Sequence, residues 1–142
     1  MMIKNLLSLV LLVLFTFASV NAQDAKTNIK KVAATFVKGA DAQDPDLLTA
    51  VMEPNALQYV LIGGKFNTFS TAQYIAMVKE KKLGGKPRKI TYKHAELLSD
   101  HLAVVVLNAV SIEYDFLYQL SMAKSAAGKW EIVGITAEIK GV

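Results

Sequence analysis

The chain has 142 residues, a formal net charge of +4, two histidines and no cysteine. This length fits one domain, and the lack of cysteine excludes disulfides, a lipid anchor on an N-terminal cysteine and the usual zinc sites. The basic residues are scattered and all except Arg88 are lysines, which argues against nucleic-acid binding.

The N-terminus has the pattern of a secretory signal peptide. Lys4 precedes an apolar run over Leu6–Phe17, and small residues end at Ala22. The run is short for a membrane-spanning helix of ~20 residues, so cleavage after Ala22 is favoured over an uncleaved anchor. The sequence therefore predicts a signal peptide over residues 1–22 and one exported domain over residues 23–142, periplasmic or secreted and free of the membrane.

Helices are predicted in the first part of this domain. They span Asp24–Ala40, Asp46–Met52 and a segment from Ser70 to about Leu83. The first is indicated by apolar residues at helical spacing. Asp44 and Pro45 are a typical N-cap and first residue for the second helix. Ser70 and Gln73 have the spacing of a capping box for the third helix, and Gly84 is a typical residue to end it.

Strands make up most of the remainder. They are predicted over Ala56–Ile62, Lys65–Phe69, Arg88–Leu98, Leu102–Ile112, Phe116–Lys124 and Lys129–Ile139. Gly63-Gly64 is a tight turn between the first two. In the third strand, alternation places Ile90, Tyr92, His94 and Glu96 on one face.

The last three predicted strands are joined by short connections, which makes neighbouring strands antiparallel. The Leu102–Ile112 strand is apolar on both faces: Val105, Leu107 and Ala109 alternate with Val104 and Val106. Three short helices can cover only one face of such a sheet. We therefore expect a homodimer through the other, outer face.

This order of elements resembles the nuclear transport factor 2-like superfamily, which includes SnoaL-type cyclases, ketosteroid isomerase and scytalone dehydratase. The stretches that carry the likeness are Asp44-Pro-Asp-Leu-Leu48, Glu53-Pro-Asn-Ala56, Phe69-Ser-Thr-Ala-Gln-Tyr74 and Gly128-Lys-Trp-Glu-Ile-Val133. The most similar branch is that of the small exported "putative lumazine-binding" proteins. The resemblance implies an α+β, cystatin-like fold: a curved antiparallel sheet wrapped as a cone around about three N-terminal helices. It also implies an apolar pocket at the cone mouth.

Polar-tipped side chains inside apolar strands are the candidates for lining that pocket. They are Tyr59, Tyr92, His94, Asn108 and Tyr118. Burying such a group without a partner costs ~1–3 kcal/mol, so we expect these groups to pair with one another or to face a wet pocket.

His94 is the best single catalytic candidate, because an imidazole can act as an acid or base near neutral pH. The alternative is a histidine hydrogen-bonded at a sheet edge or facing a dimer partner. No pair of acidic residues matches the pocket carboxylates of the family's isomerases.

The sequence therefore favours an exported binding or accessory protein, with a small apolar or aromatic ligand and neither metal nor cofactor. One alternative is a pocket enzyme, an isomerase, dehydratase or hydrolase, with His94 as general base. Another is a structural dimeric domain with a filled cone.

Overall fold

In the computed structural model, the backbone is described for residues 2–142 and the side chains for residues 21–142. Three helices and six strands follow one another along the chain. They are α1 (Met2–Asp41), α2 (Pro45–Val51), β1 (Met52–Ile62), β2 (Lys65–Ser70), α3 (Thr71–Lys79), β3 (Lys89–Leu97), β4 (Leu102–Val110), β5 (Tyr114–Lys124) and β6 (Trp130–Gly141). This order confirms the predicted α+β class.

The first helix begins well before Asp24, where the sequence pattern placed its start. Side chains of the predicted signal peptide, residues 1–22, lie outside the described part except for the last two, so cleavage after Ala22 stays a prediction. Among the described residues, no helix combines the length and the apolarity that crossing a bilayer requires.

The described part of α1 packs its apolar stripe against the sheet. The fully buried members of this stripe are Ile29, Ala33, Phe36, Val37 and Ala40. Their helical spacing confirms the predicted inward face. The Asp44 side chain caps α2 by accepting hydrogen bonds from the backbone N–H groups of Asp46 and Leu47, as predicted.

The third helix has the predicted capping box between Ser70 and Gln73, but it ends at Lys79 rather than near Leu83. Lys81 adopts the left-handed conformation with φ +59°. The N–H groups of Lys81 and Lys82 then donate to the carbonyls of Val78 and Met77, at 3.0 and 2.9 Å, in a Schellman arrangement. Glycine usually takes the left-handed position, so the sequence pattern placed the helix end at Gly84 instead.

The strands form one curved, unclosed sheet in the order β2-β1-β6-β5-β4-β3. All neighbours are antiparallel except β1 and β6, which are parallel. The helices cover the concave face. Val105, Leu107 and Ala109 of β4 are completely buried there, whereas Val104 and Val106 are half-buried on the outer face.

Side chains on the concave face lie in rows that cross the strands. The mouth row is Ile62, Ile139 and Phe116; the middle row is Val60, Ala137, Tyr118 and Leu107; the floor row is Gln58, Ile135, Leu120, Val105 and Ala95. Exposure falls along β1 from Ile62 to Gln58, which is why we give the rows these names.

The alternation predicted for β3 is wrong beyond Tyr92. Tyr92 pairs with Leu107, but His94 pairs with the next residue, Val106, so Lys93 is an extra residue in a β-bulge. One extra residue moves every later side chain of the strand to the opposite face of the sheet. Ala95 therefore faces the core, and His94 lies on the outer face instead of beside Tyr92.

Candidate functional site

The concave face of the sheet and the helices enclose a cavity of about 310 Å³ that opens at the mouth row. We call this cavity the inner pocket. Its lining comes from the strands β1 (Gln58, Val60, Ile62), β5 (Tyr114, Phe116, Tyr118) and β6 (Ala137, Ile139), and from Ala40, Asp41, Phe69, Tyr74, Arg88 and Ser111. The segment around Lys82–Lys86 and Glu113 line it towards the solvent. The sheet curvature and the short α3 therefore leave space that the helices do not fill.

Aromatic rings form much of the wall. Phe116 and Tyr118 are stacked, with ring centroids 5.9 Å apart and an interplanar angle of 11°. Phe36 contacts the edge of Tyr118 at 5.4 Å and stacks on Tyr74 at 5.8 Å. Such packing fixes the ring orientations. Each aromatic pair stabilises the fold by about 0.5–1.5 kcal/mol, in addition to the stabilisation from burying the rings.

Arg88 is the central polar residue of this wall. Its Nε lies 2.6 Å from Asp41 Oδ1, and its backbone N–H donates to Asp41 Oδ2 at 3.0 Å. One terminal nitrogen donates to the Tyr118 hydroxyl at 2.8 Å and the other to the Val37 carbonyl at 3.3 Å. The guanidinium also lies 4.6 Å from the Phe116 ring centroid. Arg88 thus ties the end of α1 and the start of β3 to β5.

Burial and the charge of Arg88 determine the protonation states of the pocket tyrosines. Burial raises the pKa of Tyr118, although the adjacent Arg88 charge opposes part of the rise. Burial also raises the pKa of Tyr74 far above its ordinary value. For Arg88, burial lowers the pKa, but Tyr118 and Asp41 outweigh this and the net change is upward. Both phenols therefore stay neutral and can only exchange hydrogen bonds at physiological pH.

Gln58 is the polar residue at the bottom of the pocket. It is 1% exposed and lies in the floor row between apolar neighbours. Its Nε2 atom has no hydrogen-bond partner within residues 21–142. Groups that could bind a ligand by hydrogen bonding are therefore Gln58 and the two phenols, while Asp41 is already engaged by Arg88.

Of the five residues predicted to line a ligand pocket, only Tyr118 lines the inner pocket. Tyr59 is 47% exposed and lies on the outer face of β1. Asn108 lies on the outer face of β4, where its amide donates to Asp115 at 2.7 Å. In each case the side-chain alternation of the strand directs the residue away from the concave face.

The other two predicted residues line a separate, more open groove between residues 22–30 of α1 and β3. The Tyr92 hydroxyl donates to the Lys30 carbonyl at 2.9 Å. His94 Nε2 lies 2.8 Å from Glu96 Oε2, with both side chains more than half exposed. The β-bulge at Lys93 is the reason that His94 lies away from the inner pocket.

Sequence reasoning missed Gln58, Asp41 and Arg88 as pocket residues. Gln58 could have been predicted to face the core, because Ala56, Gln58 and Val60 lie at every second position of one strand and therefore on the same face. Arg88 is the single arginine among sixteen basic residues, which suggests a role that lysine cannot take. Its pairing with Asp41 joins residues 47 positions apart, which no local pattern indicates.

Solved structures with this fold come from several bacteria. A nuclear transport factor 2-like protein of unknown function from Silicibacter pomeroyi is 15% identical; the match covers 83% of this chain and 98% of that chain, with a TM-score of 0.73. A cystatin-like fold protein from Burkholderia xenovorans is 15% identical over 86% and 96% of the chains, with a TM-score of 0.68. A ketosteroid isomerase-like protein from Erwinia carotovora is 13% identical over 80% and 94%, with a TM-score of 0.66. These similarities confirm the predicted fold.

No curated protein sequence matches the chain. The family described as "Putative lumazine-binding" matches residues 24–136, which is most of the domain that contains the inner pocket. The chain therefore belongs to the putative lumazine-binding family, within the nuclear transport factor 2-like fold.

Proposed function

We propose that the chain binds a small, flat ring compound in the inner pocket. The observation that carries this proposal is the cavity itself: it has a volume of about 310 Å³, its inner wall consists mostly of aromatic and aliphatic side chains, and the lysines and Glu113 lie near its mouth. Small-molecule sites in proteins are typically concave, mostly apolar and upwards of ~300 Å³ in volume. The stacked Phe116 and Tyr118 rings offer a preformed surface for a flat ligand.

The family description suggests which flat compound to try first. Lumazine is a fused two-ring pteridine with two ring carbonyls, so it presents both aromatic faces and hydrogen-bond acceptors. Its faces suit the ring-lined wall, and its acceptors suit the donors of the pocket, which are the Gln58 amide and the phenol protons of Tyr74 and Tyr118. The Tyr118 hydroxyl accepts a hydrogen bond from Arg88 and can still donate its own proton. Lumazine is therefore the first probe of the proposed ligand class.

Binding is favoured over acid–base catalysis by the state of the pocket's own ionisable groups. The Asp41 carboxylate is held by Arg88, and the raised pKa values of Tyr74 and Tyr118 keep their protons in place. Glu113 at the mouth is paired with Lys86. None of these four groups is a free base beside the pocket floor. His94 lies outside the inner pocket, in the groove between α1 and β3, so it could serve as a base only for a molecule in that groove.

The proposal includes the place and form in which binding occurs. The signal-peptide pattern of residues 1–22 supports export, and the half-buried valines on the outer sheet face support a homodimer with one inner pocket in each subunit. Both parts are testable independently of the ligand.

The pocket assignment is tested by calorimetric titration of lumazine into the purified domain. Ile62→Trp places a large side chain at the pocket mouth, whereas Leu57→Trp places the same group on the outer face of the same strand. The two parent residues are similarly exposed, at 47% and 42%, which makes the variants a matched pair. We expect wild type and Leu57→Trp to bind equally and Ile62→Trp to bind at least about tenfold more weakly, a difference of ~1.4 kcal/mol.

Equal binding by both tryptophan variants would contradict the inner pocket as the site. Lack of binding of lumazine and of two smaller two-ring probes, 1-tetralone and tetralin, would overturn the proposed function as a whole.

A further inference from the structure

Gln58 occupies a position where the fold itself favours an apolar side chain. Its neighbours across the floor row are Ile135, Leu120 and Val105, and all three are buried. The residues on either side of it along the concave face of β1, Ala56 and Val60, are buried and apolar as well. Packing alone therefore gives no reason for a glutamine here.

The amide also has an energetic cost. A buried polar group without a hydrogen bond destabilises the folded state. Gln58 Nε2 has no partner among the described residues, and the side chain lines the inner pocket. Rotation of the amide by 180° exchanges its oxygen and nitrogen at almost no change in shape, so either end can be directed into the cavity.

We propose that Gln58 is the specificity-determining residue of the inner pocket and donates a hydrogen bond from its side-chain amide to a ring carbonyl of the ligand. This inference rests on the proposed binding function and narrows its ligand class to flat ring compounds that carry a carbonyl, such as cyclic ketones, lactams and pyrimidine-diones. Sites with a buried group that needs a partner reject ligands that lack the matching group.

The order of the rows also indicates how the ligand is oriented in the pocket. Gln58 lies one row deeper than Tyr118 and two rows deeper than Phe116. The ligand therefore enters with its carbonyl first, and its ring lies higher in the pocket, beside the stacked Phe116 and Tyr118.

The test compares 1-tetralone with tetralin, two-ring compounds that differ by one carbonyl. A purely apolar pocket favours tetralin, because tetralone must shed the water bound to its carbonyl. With Gln58 as donor, wild type is expected to bind tetralone at least about fivefold more tightly. Gln58→Met, of similar shape and without the amide, is expected to reverse the order. Gln119→Met makes the same change at an exposed position of β5 and is expected to keep the wild-type order.

A second readout needs no ligand. Because Gln58→Met removes an unpaired buried amide, it is expected to raise the melting temperature of the free protein by about 3–6 °C.

Each outcome decides the inference. Tighter binding of tetralin by wild type, or an unchanged preference for tetralone in Gln58→Met, would overturn the role of Gln58 while leaving the pocket as a binding site. The wild-type comparison alone decides the matter if the variant does not fold. If neither compound binds, the inference fails, and the proposed function fails as well when lumazine also does not bind.

Discussion

Arg88 Nε lies 2.6 Å from Asp41 Oδ1, and the two side chains are only 6% and 15% exposed. The pair joins the last residue of α1 to the residue that precedes β3, and through the Tyr118 hydroxyl it reaches the wall of the inner pocket. A buried ion pair contributes little to net stability, but removal of one partner leaves an uncompensated charge. Its role is therefore to fix the geometry of the pocket wall.

Asp41→Ala tests this role. We expect a loss of ~3–5 kcal/mol in the free energy of unfolding, measured by urea denaturation at neutral pH, because Arg88 remains buried without its partner. The double variant Asp41→Leu/Arg88→Met removes both charges and should lose less than Asp41→Ala alone.

Glu80→Ala is the control for this comparison, since it breaks an ion pair with Lys82 in which both side chains are more than half exposed. No measurable change in stability is expected from it. If Asp41→Ala were as stable as Glu80→Ala, the assigned role of the buried pair would be wrong.

The buried tyrosines predict a loss of stability in alkali. In the unfolded chain a tyrosine loses its proton near pH 10, whereas burial raises the pKa of Tyr74 and Tyr118 in the folded protein. Above about pH 10 the unfolded state therefore binds fewer protons than the folded state. Stability should then fall as the pH rises, by ~1.4 kcal/mol per pH unit for each such group.

Urea titrations at a series of alkaline pH values measure this slope, and tyrosinate absorbance shows whether the buried phenols titrate only on unfolding. Tyr74→Phe should make the slope shallower, with Tyr59→Phe, which alters an exposed ring, as the matched control. Equal slopes for the two variants would count against burial as the cause.

Gly84 is predicted to be the least replaceable glycine at the pocket mouth. Its φ is +79°, and a Cβ atom there would lie 1.9 Å from the Ala40 carbonyl oxygen. Gly63 also has a positive φ, +56°, but a Cβ atom at Gly63 would meet nothing within 4 Å. Gly63→Ala should cost about 1 kcal/mol of stability from backbone strain alone, and Gly84→Ala about 2 kcal/mol or more, because the loop must also move. Equal melting temperatures for the two variants would show that the mouth loop tolerates displacement.

We propose a homodimer through the outer sheet face, where Val104, Val106 and Leu117 are half-buried and the helices give no cover. Sedimentation at micromolar concentration should give about twice the mass of one chain. Val106→Lys should produce monomers, because the dimer would bury an unpaired charge. Ala50→Lys on the exposed side of α2 should remain dimeric. A wild-type monomer would be the contrary finding.

Export predicts a defined N-terminus. Protein recovered from the periplasm or medium of the producing cell should begin at Gln23 by intact mass, since the small residues before it suit a signal peptidase. A chain that retains Met1 in the membrane fraction would support the uncleaved anchor instead.

The sequence predicted the class and the order of the elements, because hydrophobic period, caps and turn residues are local signals. The curvature of the sheet was expected only from the family resemblance. Asp44 and the Ser70–Gln73 capping box lie where these patterns placed them. The end of α3 was misplaced because Lys81 takes the conformation that usually belongs to glycine.

The site was less predictable, since it depends on the sheet face on which each side chain lies and on contacts between residues far apart in the sequence. A single bulge at Lys93 moved His94 to the outer face, and no pattern in β3 marks that bulge. Arg88 and Asp41 meet only after the sheet has curved around α1. Strand alternation could have placed Gln58 on the buried face. Its energetic importance follows only from the structure, in which the amide nitrogen has no hydrogen-bond partner among residues 21–142.

The central claim is that ligand binds in the inner pocket rather than in the groove beside His94. Amide chemical-shift mapping of the isotope-labelled domain during titration with lumazine tests it most directly. We predict that the Gln58 side-chain amide and the backbone amides of Phe116 and Ala137 shift together and saturate at one ligand per chain, while those of His94 and Tyr59 do not move. Shifts confined to His94 and its neighbours on β3, with Gln58 unchanged, would contradict the claim.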